Sequence, residues 1–269
     1  MSQINLKNKV HSYWNEHTCG TDVTSAPKFS RQYFEEIEEY RYQVESEIFS
    51  FAQFSRYRDK RVLEVGVGSG ADFIQWVRAG AKAYGIDLTE EGIERTKRRL
   101  ETYGLHAEEV RVADAENLPY SDNFFDLVYS WGVLHHSPNT MKALEEIIRV
   151  TRIGGSMKIM IYNRKSLYVL YKYLQSLLRG KIYRSFSSML FHEVESIGTK
   201  AYTIREVKSI LSKYPVRIKD IRARANKYDL LWKKPFIFRF ISYILVCLLG
   251  YEMIGFFMTI ELGKIGESK

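Results

Sequence analysis

Two hydrophobic periods divide this chain. From residue 34 onward apolar side chains recur at steps of three and four, at Phe34, Ile37, Tyr40, Val44, Ile48 and Phe51. That spacing predicts one buried helical stripe, with Glu35, Glu36, Glu38 and Glu39 on the opposite face. Past residue 60 the pattern changes to short apolar runs at 62–65, 83–87, 110–112, 126–130 and 156–162, each read as a strand. An amphipathic segment, 71–79, follows the first run. Farther on, Leu167, Leu170, Leu174, Leu177 and Leu178 share one helical face and are expected to pack in the core. Thr203 and Glu206 have capping-box spacing and start a further helix. Residues 216–221 and 256–261 read as two further strands, with a helix at 236–250 between them.

The first strand leads into the most specific stretch. Residues 61–70 read Arg-Val-Leu-Glu-Val-Gly-Val-Gly-Ser-Gly. A strand running into Gly66, Gly68 and Gly70, then a helix, lets backbone approach a nucleotide-like ligand closely. Two cofactors compete for such a turn. Gly66, Gly68 and Ala71 fit the looser G-x-G-x-x-G/A pattern of dinucleotide enzymes, in which a pyrophosphate meets a helix N-terminus. Glu64 precedes the glycines; a carboxylate there is awkward near a pyrophosphate and useful near the cationic amino acid group of S-adenosylmethionine. Asp87, about twenty residues on, stands where a carboxylate accepts from ribose hydroxyls and suits either cofactor. A glycine turn that binds nothing is the plainest alternative. If the strands are parallel, the loops at 66–70, 87–88, 114–116 and 130–136 share the carboxyl edge, where open α/β sheets bind ligands.

Six stretches match in order. They are Leu63-Glu64-Val65-Gly66-Val67-Gly68-Ser69-Gly70 with Gly85-Ile86-Asp87, then Asp114-Ala115-Glu116-Asn117-Leu118-Pro119-Tyr120, Phe125-Asp126-Leu127-Val128, Val133-Leu134-His135-His136 and the stretch 143–155. Together they resemble the class I S-adenosylmethionine-dependent methyltransferases, in the small-molecule branch (methyltransferase type 11) that includes the ubiquinone and menaquinone enzymes. The resemblance covers residues 60–162. It implies an α/β fold: a Rossmann-like, doubly wound, mostly parallel seven-stranded sheet with an antiparallel last strand, N-terminal helices and a helical lid insertion; residues 216–221 and 256–261 would be the antiparallel pair at the sheet edge, with the 236–250 helix packed on the sheet. It also implies roles. Gly66, Gly68 and Gly70 would pass under the methionine part of the cofactor. Asp87, with Leu88 beside it, would bind the ribose, and Asp114 and Ala115 the adenine. Ser130 and Trp131 would line the cofactor near its methyl group. The chain departs at Arg152-Ile153-Gly154-Gly155, where the family most often has Pro in place of Ile153.

These features divide the chain into an N-terminal helical extension that folds over the cofactor (1–58), a cofactor-binding core (59–162), a helical insertion over the acceptor (163–202) and the remainder of the sheet with an apolar helix (203–269). Charge is uneven. Residues 1–150 hold 18 Lys and Arg against 24 Asp and Glu; residues 151–269 hold 22 against 8. The basic part is therefore expected to face an anionic partner, unless it is a solubilising face. The uncharged run 240–251 is too short to cross a bilayer, which takes about 20 residues. Lys233, Lys234 and Arg239 flank it as in interfacial helices, so peripheral contact with an anionic membrane is the alternative to packing on the sheet. Cys19 and Cys247 have no metal-binding spacing, and no metal is expected. The N-terminus has no apolar signal core, so the expected location is cytoplasmic.

His135 and His136 follow the fourth strand and are the candidate general bases, since imidazole titrates near working pH. Tyr13, Trp14, His17, Tyr162, Tyr168 and Tyr171 are candidate acceptor contacts; His192 is a weaker alternative base. The loop after the fourth strand lacks an Asn/Asp-Pro-Pro-Tyr/Phe segment and a glutamate pair, and neither cysteine follows proline. These absences argue against amino-adenine, protein arginine and cytosine C5 acceptors. The expected activity is methyl transfer to an O, N or C nucleophile of a small or lipid-like metabolite. The alternatives are an RNA methyltransferase using the basic C-terminal part, an NAD-dependent dehydrogenase, and a catalytically silent binding module.

Overall fold

The computed structural model describes residues 2–18, 20–252 and 254–266. Cys19 lies outside them, and Cys247 is an exposed free thiol. The strands are β1 (Arg61–Val65), β2 (Lys82–Asp87), β3 (Glu109–Val112), β4 (Phe125–Trp131), β5 (Thr151–Tyr162), β6 (Val216–Arg222) and β7 (Phe257–Lys264). They form one sheet in the order β3-β2-β1-β4-β5-β7-β6. β1 to β5 run parallel, and β7 lies antiparallel to both its neighbours. The expected antiparallel pair thus forms, with β6 at the edge and β7 inside the sheet. Strand order reverses between β1 and β4, the switch point at which such sheets open a crevice.

Alternate residues of the central strands face opposite layers. Val62, Leu127 and Tyr129 enter one apolar core with Phe73, Ile74 and Trp76 of α4 (Phe73–Arg78). Leu63, Val65 and Val128 enter the other, with Ala143, Ile147 and Val150 of α6 (Thr140–Val150). α5 (Glu90–Tyr103) joins β2 to β3 and is capped by Thr89, whose hydroxyl accepts the Gly92 N–H. β5 starts earlier than expected, at Thr151, and carries the Gly154-Gly155 pair inside it, where the pairing with β4 shifts register.

The N-terminal part builds α1 (Gln3–Glu16), α2 (Arg31–Val44) and α3 (Glu47–Ala52). The single stripe expected from Phe34 to Phe51 is therefore broken at Glu45 and Ser46. Phe34, Ile37, Val44 and Ile48 are buried as expected. The break turns Glu45 inward, where its carboxylate accepts the Trp131 indole N–H at 2.6 Å. Glu38 is not merely solvated, since it pairs with Arg78 and with the fully buried Arg99.

Two expectations fail in the second half. α7 (Leu167–Leu178) forms, but the leucine stripe does not enter the core: Leu170, Leu174, Leu177 and Leu178 are exposed. Of the stripe only Leu167 is buried, and the helix buries Val169 and Ser176 on a neighbouring face. Likewise α10 (Phe236–Leu249) forms where expected but does not pack on the sheet, and Ser242 and Val246 are its buried positions. The sheet face is already covered by the other helices, leaving α10 one small cluster with Leu167 and Ala225. Between them lie α8 (Phe186–Glu193) and α9 (Ile204–Leu211); Thr203 and Glu206 complete the capping box at the start of α9.

Candidate active site

The carboxyl edges of β1 to β4 open onto one cavity. Gly66, Asp87, Asp114 and Trp131 each line it from a different strand end, and Glu64, Leu88 and Ala115 join them. At the β1 turn, Gly66 has φ +83° and a Cβ there would lie 2.2 Å from Val133 Cγ2, so only glycine fits. Gly68 donates its N–H to Asp87 Oδ2 at 2.9 Å. Asp87 Oδ1 accepts from the Thr89 N–H and hydroxyl, at 2.9 and 2.7 Å. The carboxylate thus fixes the turn that the sequence assigned to ligand contact, and burial raises its pKa against those hydrogen bonds. Gly70 stands off the cavity wall. Its missing Cβ leaves room for Thr96 of α5, so it serves helix packing.

A charged network that the sequence did not reveal forms one end of the cavity. Arg41 of α2 binds Asp72 through two hydrogen bonds of 2.8 and 2.6 Å and approaches Glu45 at 3.6 Å. Tyr129 donates its hydroxyl to the same Asp72. Glu64, 3% exposed, accepts the Trp76 indole N–H at 2.8 Å. Three carboxyl groups, Glu45, Asp72 and Glu64, therefore share a single guanidinium. Burial, only partly offset by Arg41, pushes Glu45 up to about 7. Burial and then Asp72 hold Glu64 well above the usual carboxylate range. A region so rich in carboxyls and short of cation suits a positively charged ligand and opposes a pyrophosphate. S-adenosylmethionine, with a sulfonium and an ammonium, meets that requirement.

Another part of the wall is aromatic and carries the candidate base. Trp14, Trp131, Tyr162, Tyr228 and Phe257 line the cavity around His136. His136 Nδ1 lies 3.1 Å from the hydroxyls of Thr199 and Ser196. Thr199 gives its hydroxyl proton to Ser196 O, which leaves its oxygen free to accept from the imidazole when Nδ1 carries the proton. Nε2 then faces Glu195 Oε2 at 3.1 Å, out of line for a hydrogen bond. Tyr162 donates its hydroxyl to the same Glu195 oxygen at 2.8 Å. Glu195 has φ +57°, an uncommon backbone state for glutamate. Nothing in the local sequence distinguishes it, because the 163–202 segment brings it to the cavity from outside every motif.

The other candidates separate. His135 is sealed, with both ring nitrogens unpartnered among the described residues and its ring 3.8 Å from Tyr162. Burial, then His136 and Lys200, hold its pKa well below the ordinary value, and the ring does not line the cavity. Ser130 is buried off the cavity, donating to Val65 O between β4 and β1. Tyr13 and His17 stack on each other outside the cavity wall, and Tyr168 and Tyr171 also stand outside it. His192 is exposed beside Tyr183. Trp14 and Tyr162 remain as acceptor-side candidates. The donor atoms of His135, His136 and Glu195 lie within 4.8 Å of one another.

The sheet order and the strand-edge cavity define the Rossmann-like methyltransferase fold. A family model described as "Methyltransferase domain" matches residues 63–159. Demethylmenaquinone methyltransferase of Bacillus mycoides is 30% identical over 178 residues, which cover 57% of this chain and 75% of that protein. The chain belongs to the class I S-adenosylmethionine-dependent methyltransferases, and S-adenosylmethionine is its cofactor. The phthiotriol/phenolphthiotriol dimycocerosates methyltransferase of Mycobacterium tuberculosis is 41% identical over 98 residues, about a third of either chain: 36% of this one and 35% of that one. Among solved structures, geranyl diphosphate C-methyltransferase of Streptomyces coelicolor superposes with a TM-score of 0.63 at 13% identity, over 97% of this chain and 98% of that one. At that identity the likeness shows the fold alone. The dehydrogenase, RNA and silent-module alternatives are not favoured by these matches.

Proposed function

We propose that this chain transfers a methyl group from S-adenosylmethionine to a small, lipid-like acceptor. The observation that carries the reading is the continuity of one cavity, carboxyl-rich beneath the glycine turn and aromatic around His136. Curated relatives named for menaquinone and phthiotriol lipid substrates support the acceptor class. In this reading Gly66 gives the methionine part its close approach, and Asp87 holds the ribose with lone pairs left after its own three hydrogen bonds. Asp114, Ala115 and Leu88 frame the adenine. Glu64, Glu45 and Asp72 balance the positive charge, and Trp131 borders the methyl.

The bound cofactor supplies an electrophilic methyl group. The protein's part is alignment and water exclusion, worth about 7–11 kcal/mol when a nucleophile is held in line. The aromatic wall excludes water and orients an apolar acceptor. His136 Nε2 takes the acceptor's proton, Thr199 holds the ring through Nδ1, and Glu195 stabilises the resulting imidazolium. Residues 1–58 act as a cover over the cofactor, and the loop carrying Glu195 closes the acceptor side.

Calorimetry with S-adenosylmethionine and with NADH, followed by turnover assays on prenylated quinols and long-chain alcohols, tests the proposal. Micromolar S-adenosylmethionine binding with methylation of either lipid class is expected. Methylation confined to water-soluble acceptors sinks the lipid-like reading.

A further inference from the structure

Ten of the fourteen residues of α10 are large apolar side chains exposed on the molecule's surface. Phe236 is 75% and Leu248 76% exposed. A helix apolar on nearly every side is normally covered, by protein or by lipid. α7 meets α10 through Leu167 and Val246 and adds its own exposed stripe, with Leu174 at 52% and Leu178 at 91%. At 1.5 Å per residue α10 is about 21 Å long, short of the about 30 Å hydrocarbon core. No helix among the described residues is long and apolar enough to cross a membrane.

Charge selects the covering partner. No Asp or Glu occurs from residue 163 to 192, or from 230 to 251, and both stretches carry several Lys and Arg. Lys172, Arg179, Arg184, Lys227, Lys234 and Arg239 pair with no carboxylate among the described residues. A second copy docked on this face would bring two such cationic rims together, which opposes self-association. An anionic bilayer meets both properties, taking up the apolar side chains and neutralising the rim.

We propose that α7 and α10 form a membrane-docking face that seats the protein in the interfacial layer of an anionic lipid bilayer. The face also leads to the cavity. Tyr168 of α7 lies 5.6 Å from Tyr228, a cavity-lining ring, which in turn lies 5.3 Å from Phe257. A lipid-like acceptor leaving the bilayer passes along these rings toward His136. That last step rests on the function proposed above; the docking does not.

The full chain is floated with phosphatidylcholine vesicles and with equimolar phosphatidylcholine–phosphatidylglycerol vesicles. Binding roughly tenfold stronger to the anionic vesicles, weakened by salt, is expected. Ile241→Asp with Leu248→Asp is expected to abolish flotation, with circular dichroism and S-adenosylmethionine affinity unchanged. Should that variant misfold, Lys234→Glu with Arg239→Glu keeps the apolar face and is expected to remove the preference for anionic lipid. A folded wild type that stays with the dense fraction beside anionic vesicles overturns the proposal. So does a dimer by light scattering that the Asp variant dissociates, since the face then belongs to a second copy. Turnover is not read, so failure here leaves the methyltransferase reading standing, and loss of cofactor binding would not touch this one.

Discussion

Lys7 Nζ on α1 lies 2.6 Å from Asp114 Oδ2 and 2.7 Å from Glu116 Oε2, at the carboxyl edge of β3. Glu116 in turn accepts from the Ser137 hydroxyl and the Asn139 N–H, beside the loop after β4. One lysine thereby ties the N-terminal helix to two strand-end loops, and Val10 and Trp14 of the same helix line the cavity.

If α1 covers the cofactor, Lys7→Ala should loosen it. The ion pair is partly exposed, so the effect is modest: roughly three- to tenfold faster S-adenosylmethionine dissociation. Stopped-flow release measures it, and an unchanged rate would show that α1 does not gate the site.

Asp87→Ala removes the acceptor of the Gly68 and Thr89 groups together with the proposed ribose contact. S-adenosylmethionine affinity should fall about tenfold or more, with a stability loss of about 1–3 kcal/mol. Asp87→Asn should retain part of both. Calorimetry and denaturant titration separate the two effects.

Glu45 gives a pH dependence with a definite sign. Its folded pKa of about 7 lies above its ordinary value of 4.5. Its contribution to stability is therefore fully present below about pH 4.5 and lost as pH rises through about 7. A cationic ligand stabilises the ionised form, so S-adenosylmethionine affinity should rise across the same window with proton release. Glu45→Gln should flatten the rise, as seen by calorimetry in buffers of different ionisation enthalpy. Affinity that falls with pH would contradict the charge-balancing role.

The two adjacent histidines should behave oppositely. His136→Gln removes the proposed base and should lower kcat by about 10²–10⁴ with cofactor affinity kept. His135→Phe replaces a buried ring, whose nitrogens have no hydrogen-bond partner among the described residues, by an apolar one and should leave kcat and stability nearly unchanged. Glu195→Gln should shift the pH profile of kcat more than it shifts KM. Equal losses from both histidine variants would assign the loop a structural role.

Arg41→Met leaves Asp72, Glu45 and Glu64 buried without their guanidinium. A loss of about 3–5 kcal/mol is expected, because breaking a buried pair strands the remaining charge. Thermal unfolding, partly rescued by Asp72→Asn, is the check.

Local pattern was enough to specify the sheet. The apolar runs at 62–65 and 126–130, the glycine turn between them and the Thr203–Glu206 cap each depend on neighbours in sequence, and each appears where expected. The acids at strand ends, Asp87 and Asp114, were legible for the same reason: parallel strands of known direction put their carboxyl ends on one edge. What tertiary structure decided was every relationship across chain-distant segments. Glu195 meets Tyr162 and His136, Arg41 meets Asp72, and Lys7 meets Asp114 over separations that no local spacing encodes. Helical periodicity likewise marks an apolar face without saying what covers it. The stripes of α7 and α10 read as core in sequence and lie on the surface in the fold, because the sheet had no uncovered face left to receive them.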